Sequence, residues 1–187
     1  MDAIKFRFKI LVLGAVGVGR TALEVYVSKL TPHNSDQFLN AKSKSMRRTT
    51  GASFSVLNID TDDYKVKLLF WSISDNEGFR FLHPSFIQNA VGAILLNDIT
   101  NASSITRLPY WLDLLANNYD ELPVVLAGNK VDLAGQRAIT KETGLAFQRE
   151  YNLTSFLEIS MKTGEGVDKV FASLRDLGLI KYLLDEW

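Results

Sequence analysis

Five short apolar runs set the strongest limit on how this chain can fold. They are Phe8 to Leu13, Val66 to Trp71, Val91 to Leu96, Leu122 to Ala127 and Ser155 to Ile159. Most are nearly continuous in Val, Ile, Leu and Phe, which is how strands covered on both faces of a parallel sheet read. Ala52 to Asp60 alternates instead and runs through Thr61-Asp62-Asp63 into the Val66 run, the pattern of an antiparallel hairpin at a sheet edge. Helical patterns fill the gaps. Apolar positions recur at helical spacing in Thr21 to Leu30, Ser103 to Leu115, Lys141 to Tyr151 and Val167 to Leu177, and Thr140 is placed to cap the third of these. Strands alternating with helices predict a three-layer α/β domain with right-handed crossovers. At 187 residues, against roughly 150 per domain, one domain is expected, with a core of about residues 5 to 177 and an apolar tail over 178 to 187. Such a tail is expected to pack on its own domain, the alternative being a partner-binding or interfacial helix.

The first apolar run ends in Gly14-Ala15-Val16-Gly17-Val18-Gly19-Arg20-Thr21, immediately before a helical pattern. This is the phosphate-loop pattern G-x-x-x-x-G-K-[ST] with arginine in the lysine position. Glycines let successive backbone N–H groups turn toward one anion, and the helix N-terminus adds its dipole. Gly14, Gly17, Val18, Gly19, Arg20, Thr21 and Ala22 are therefore the candidate phosphate-binding residues, and the Thr21 hydroxyl is a candidate ligand of Mg²⁺. Asn129-Lys130-Val131-Asp132 follows the fourth parallel run, and Ser160-Met161-Lys162 follows the fifth. Both fall where doubly wound sheets bind their ligands, at the C-terminal ends of strands. An aspartate there can accept from two adjacent N–H donors of a guanine edge.

Charge narrows the ligand further. Lys and Arg total 21 against 21 Asp and Glu, for a net charge of zero. That excludes a bulk polyanion binder, so no nucleic-acid partner is expected and any anion must sit in a local site. Cysteine is absent from the sequence, so no disulfide, thiolate metal site, or prenyl or palmitoyl attachment is expected. No apolar stretch approaches the ~18 residues of a membrane span. A soluble, cytoplasmic protein is expected, reaching membranes peripherally through a partner. Two stretches stand apart. Residues 31 to 50 are polar and carry Lys42, Lys44, Arg47 and Arg48, expected to be a solvated loop or an acidic or anionic contact. His33 and His83 lack ligand company in sequence and read as ordinary polar residues.

Taken together, these motifs resemble those of the small GTPases of the Ras superfamily, nearest the Rab branch, over roughly Lys5 to Leu177. Thr49-Thr50-Gly51-Ala52-Ser53-Phe54 resembles the T-I-G-V-D-F of the first switch. Trp71 and Phe79-Arg80 match the ends of W-D-T-A-G-Q-E-R-F-R, Asn97-Asp98-Ile99-Thr100 matches Y-D-V-T, and Glu158 to Lys162 matches E-x-S-A-K. The resemblance implies a P-loop GTPase fold: a six-stranded, mostly parallel sheet with one antiparallel edge strand and about five helices. It implies GTP or GDP with Mg²⁺ at the sheet's switch point and two segments that report the γ-phosphate. It places the phosphates on Gly14 to Ala22 and Mg²⁺ on Thr21 and Thr49. It places guanine on Asn129, Lys130, Asp132, Ser160, Met161 (through its backbone N–H) and Lys162. Phe38 is the candidate aromatic beside the base.

The departures cluster at the phosphate end. Arg20 keeps the lysine's charge on a larger planar fork. A misfitted charged contact weakens binding by ~10 to 100-fold. Ser72 stands where the family's aspartate holds Mg²⁺ through water, Asp75 where a glycine N–H meets the γ-phosphate, and Asn76 where a glutamine orients water. Asn76 is thus the catalytic candidate, one methylene short. Val16 stands where a side chain obstructs a supplied arginine finger. A competing alignment takes Asp75-Asn76-Glu77-Gly78 as a D-x-x-G shifted by three residues; the ungapped match through Trp71 and Phe79 favours the degenerate one. The expectation is a guanine-nucleotide-binding switch or interaction module, in trafficking or signalling, with weak or absent hydrolysis. It would act as a monomer or a member of a hetero-complex, meeting effectors or regulators through residues 31 to 54 and 72 to 86. The alternatives are a nucleotide-free scaffold and a GTPase that needs an activating partner.

Overall fold

The computed structural model describes residues 4–30, 51–60 and 64–173. Thr49, Phe38, the basic positions Lys42 to Arg48, His33 and the tail over 178–187 lie outside the described residues. Six strands form one sheet: β1 (Ile4–Gly14), β2 (Ala52–Asp60), β3 (Tyr64–Ile73), β4 (Gly92–Asp98), β5 (Val124–Asn129) and β6 (Ser155–Ile159). Their order is β2-β3-β1-β4-β5-β6. Only β2 runs antiparallel, against β3, in the register of the expected hairpin with Phe54 opposite Trp71 and Asp60 opposite Lys65. The other four pairings are parallel. This is the expected α/β architecture.

Side chains alternate across the strands and divide the core in two. Ile10, Val12, Ile94, Leu96, Val125 and Ala127 pack on one face with Leu23 and Val27 of α1 (Arg20–Leu30) and with Val167 and Val170. Leu11, Leu13, Ala93, Leu95, Val124 and Leu126 pack on the other, with Leu108, Trp111 and Leu115. Fully burying one such aliphatic side chain contributes about 1.5–3 kcal/mol. Because both faces are covered, the central strands carry no polar alternation, which is why they read as continuous apolar runs.

Six helices lie among the described residues, one more than the sequence suggests. After α1 come α2 (His83–Phe86), α3 (Ser103–Thr106), α4 (Leu108–Ala116), α5 (Lys141–Glu150) and α6 over 167–173. The single helix expected from Ser103 is broken at Arg107 because Pro109 follows within two residues. Proline has no N–H to return to the carbonyl four positions back, so the ladder stops and restarts. Thr140 caps α5 as expected, its Oγ accepting the Thr143 N–H at 3.2 Å. No helix among the described residues is long and apolar enough to cross a membrane.

β1 is flanked by β3 on one side and β4 on the other; the chain runs from β1 to β2 and β3 on one side, then crosses over to β4 on the other, so the strand order reverses at β1. The C-terminal ends of β1, β3, β4, β5 and β6 therefore converge at one edge, a crevice at the switch point. Gly14, Ile73, Asp98, Asn129 and Ile159 close these strands, and the loops that follow them build the site.

Candidate functional site

The loop after β1 turns on three glycines with positive φ: Gly14 at 143°, Gly17 at 85° and Gly19 at 108°. Two of them also leave no room for a side chain. A Cβ on Gly14 would lie 2.3 Å from the Leu96 carbonyl oxygen, and one on Gly19 would lie 2.1 Å from the Asn129 Nδ2. The loop is thus pressed against β4 and β5, and its backbone is free to present N–H groups outward. Val18 is buried while Gly17 and Val16 are exposed, Val16 at 72%.

Asn129 joins the pieces. Its side chain is buried at the end of β5. Nδ2 donates to the Val18 carbonyl at 2.8 Å, and Oδ1 accepts the Met161 N–H at 3.0 Å. One amide therefore ties the glycine loop to the loop after β6. The Met161 N–H, assigned by resemblance to a base carbonyl, is engaged here by Asn129. Beside it, Ser160 is fully buried and donates its hydroxyl to Asp132 Oδ1 at 2.7 Å. The same Oγ accepts the N–H groups of Lys162 at 3.3 Å and Thr163 at 3.1 Å. Lys162 Nζ stands 3.8 Å from the other Asp132 oxygen. Asn129, Asp132, Ser160, Met161 and Lys162 are therefore one connected group.

Lys130 takes the left-handed conformation, φ 74°. Its ammonium pairs with Asp98 at the end of β4. Asp98 also accepts the Thr100 N–H at 2.9 Å and the Thr100 hydroxyl at 2.7 Å. Burial alone would raise the Asp98 carboxyl, but the hydrogen bonds from Lys130 and Thr100 outweigh it and hold the group below the usual carboxylate range. Asp98 is a site residue that motif reading left unassigned, although it sits inside the Asn97 to Thr100 match.

At the phosphate end, a cavity of about 150 Å³ is walled by Arg20, Thr21, Glu24, Ser53, Ser72 and Ser74. Glu24 accepts the Ser53 hydroxyl at 2.5 Å. Burial pulls the Arg20 guanidinium below its ordinary pKa, against the attraction of Asp75 and Glu24. Arg20 has no hydrogen-bond or ion-pair partner among the described residues. A half-buried guanidinium without a partner is a site for an anion. Thr21, Ser72, Ser53 and Glu24 offer only hard oxygen donors, the set that suits Mg²⁺ alongside phosphate oxygens.

Ser72 and Ser74 line this cavity and Asp75 does not. Asp75 is buried and pairs with Arg107 Nη1 at 3.2 Å. The negative charge expected at the γ-phosphate is thus turned to the α3–α4 junction, and the shifted D-x-x-G alignment gains nothing from the geometry. Asn76, the catalytic candidate, lies outside the cavity walls. Its side-chain oxygen caps a 3₁₀ turn, accepting the Gly78 N–H at 2.9 Å. His83 corrects the sequence expectation of an ordinary polar residue. It is fully buried, with Nε2 2.9 Å from the Ser74 carbonyl and Nδ1 2.8 Å from the Tyr110 hydroxyl. No motif announces it; its partners come from the segment after β3 and from α4.

The Ras family model matches residues 9–177 of the chain. The chain is 34% identical over 175 residues to Ras-related protein Rab-18-B of Danio rerio, covering 92% of this chain and 80% of that one. It is 33% identical to GTP-binding protein ypt3 of Schizosaccharomyces pombe, covering 92% and 76%. It is also 33% identical to Ras-related protein Rab-18 of Lymnaea stagnalis, covering 89% and 77%. A glycine loop, the motif loops after β5 and β6 and a six-stranded sheet in this order, with a family match across nearly the whole length, make this chain a Rab-like member of the Ras family.

Proposed function

We propose that this chain binds GTP or GDP with Mg²⁺ as a switch or interaction module in trafficking or signalling, and that it hydrolyses GTP slowly or not at all. The observation that carries this reading is the Asn129 side chain, which ties the phosphate loop to the base-side loop through two hydrogen bonds. A scaffold without a ligand has no need of that alignment. In this reading the Gly14 to Ala22 backbone, with Arg20, holds the phosphates. Asp132 accepts from the guanine edge, oriented by Ser160 and Lys162. Lys130, fixed by Asp98, lies along the base, and Met161 offers its N–H by exchange with Asn129. Thr21 and Thr49 hold Mg²⁺, which would neutralise phosphate charge when bound.

Weak hydrolysis follows from the side chains at the second switch. Ser72 brings a hydroxyl where the family has a carboxylate, and Asn76 is committed to capping a turn. Positioning the attacking water is most of what such an enzyme contributes. Partners would meet an aromatic surface. Phe54 is 46% exposed and stacks on Trp71 at 6.0 Å, Trp71 meets Phe86 at 6.4 Å, and Phe81 is 76% exposed. Exposed aromatics of this kind mark protein contacts.

The test is to identify the nucleotide carried by purified protein and then follow phosphate release. Retained guanine nucleotide with little turnover supports the reading. Turnover at ordinary intrinsic rates contradicts impaired hydrolysis. Protein that is empty and gains no thermal stability from GDP or GTP is a scaffold.

A further inference from the structure

Asp75 stands in a position where a negative charge is hard to tolerate, yet the fold keeps it. Its side chain is 4% exposed and ionically paired to Arg107, whose side chain is 60% exposed. The two residues are 32 positions apart, and Arg107 lies at the break between α3 and α4, outside the cavity walls. Arg20, whose field is also coupled to Asp75, is the cation on the cavity wall among the described residues. Asp75 is thus paired with one guanidinium away from the cavity, while its neighbour Ser74 lines the cavity that holds the other. The segment is fixed at its neighbour too, because His83 Nε2–H donates to the Ser74 carbonyl.

We propose that Arg107 sets the preference of this site between nucleoside triphosphates and diphosphates. By holding the Asp75 carboxylate on the outer side, it leaves Arg20 available and clears the terminal phosphate position. Without Arg107, Asp75 is a buried carboxylate stripped of its ion-pair partner, one residue from Ser74 of the cavity wall and within the field of Arg20. The carboxylate then turns toward the cavity, neutralises Arg20 and repels a terminal phosphate. A diphosphate does not reach that position and loses far less. The proposal rests on the guanine-nucleotide reading above. It makes Arg107 a specificity-determining residue that acts through Asp75.

The experiment measures dissociation constants of the full chain for fluorescent GDP and for a fluorescent non-hydrolysable GTP analogue. Wild type, Arg107→Ala, Arg107→Gln, Asp75→Asn and the double variant Arg107→Ala with Asp75→Asn are compared, each checked for a cooperative melt. Arg107→Ala is expected to weaken the triphosphate about tenfold relative to GDP. Arg107→Gln, the milder change, shifts the ratio the same way and serves if the alanine variant does not fold. Asp75→Asn alone keeps the wild-type ratio or favours the triphosphate, and the double variant returns to it. An unchanged ratio in both Arg107 variants, or a double variant that stays impaired, overturns the inference while the nucleotide site stands. A wild-type chain that binds neither nucleotide overturns the underlying reading as well.

Discussion

Gly19 and Asn129 show how little freedom the site has at the level of single residues. The Gly19 φ of 108° is one that L side chains rarely adopt, and a Cβ there would meet Asn129 Nδ2 at 2.1 Å. Gly19→Ala is expected to lower stability by about 1–3 kcal/mol, read as a lower melting temperature. It should weaken nucleotide binding further, because the displaced Asn129 releases both loops. Arg20→Lys is expected to tighten GDP, since an ammonium fits between phosphates where the wider fork does not. Weaker binding by the lysine variant would show a pocket shaped around the guanidinium. These residues were legible in the sequence because their chemistry is local: a glycine turn, an amide and a carboxylate sit at fixed spacings after strands. Arg107 and Asp98 were not, because each acts on a partner 32 residues away that only the sheet brings near.

At the scale of elements, the segment after β3 is fastened to α4. His83 stacks on Trp111 with ring centroids 4.7 Å apart, bonds Tyr110, and holds Ser74, while the Arg80 guanidinium lies 4.8 Å above the Tyr110 ring. Burial lowers the His83 pKa below its ordinary 6.5. The Ser74 carbonyl and Asp75 oppose the fall, and Arg80 and Arg20 add to it. The unfolded chain consequently binds a proton first as pH falls. The stabilising effect of a neutral His83 is complete above pH 6.5 and is lost as pH drops toward the folded value. Melting temperatures of wild type and His83→Gln between pH 7.5 and 5 should diverge in slope, with the wild type falling more steeply. Parallel slopes would mean that His83 titrates normally. The strands and α5 were predictable from apolar runs and a threonine cap. The α3–α4 break was missed because the apolar spacing continues straight across Pro109.

Across the whole molecule, a net charge of zero conceals a strongly organised edge. The sheet order places the ends of five strands together, and there Arg20, Lys130 and Lys162 meet Asp75, Asp98 and Asp132. Lys130 and Lys162 have acidic partners, and Arg20 alone among these three has none among the described residues. Among the described residues the topology therefore leaves Arg20 without an acidic partner on the cavity wall, the arrangement that the proposed nucleotide needs. The fold and the places of the loops after β5 and β6 were readable because apolar runs and short motifs encode them. The direction of Asp75 was not, because a sequence gives a residue's position in a loop and not the face it turns to. The central claim, that guanine is held by Asp132 within this connected edge, has a direct test in the binding of guanosine and xanthosine diphosphates to wild type and Asp132→Asn. A preference for guanosine diphosphate in wild type that shifts toward xanthosine diphosphate in the variant is the expected result. An Asp132→Asn protein with unchanged guanosine diphosphate affinity and selectivity would contradict it.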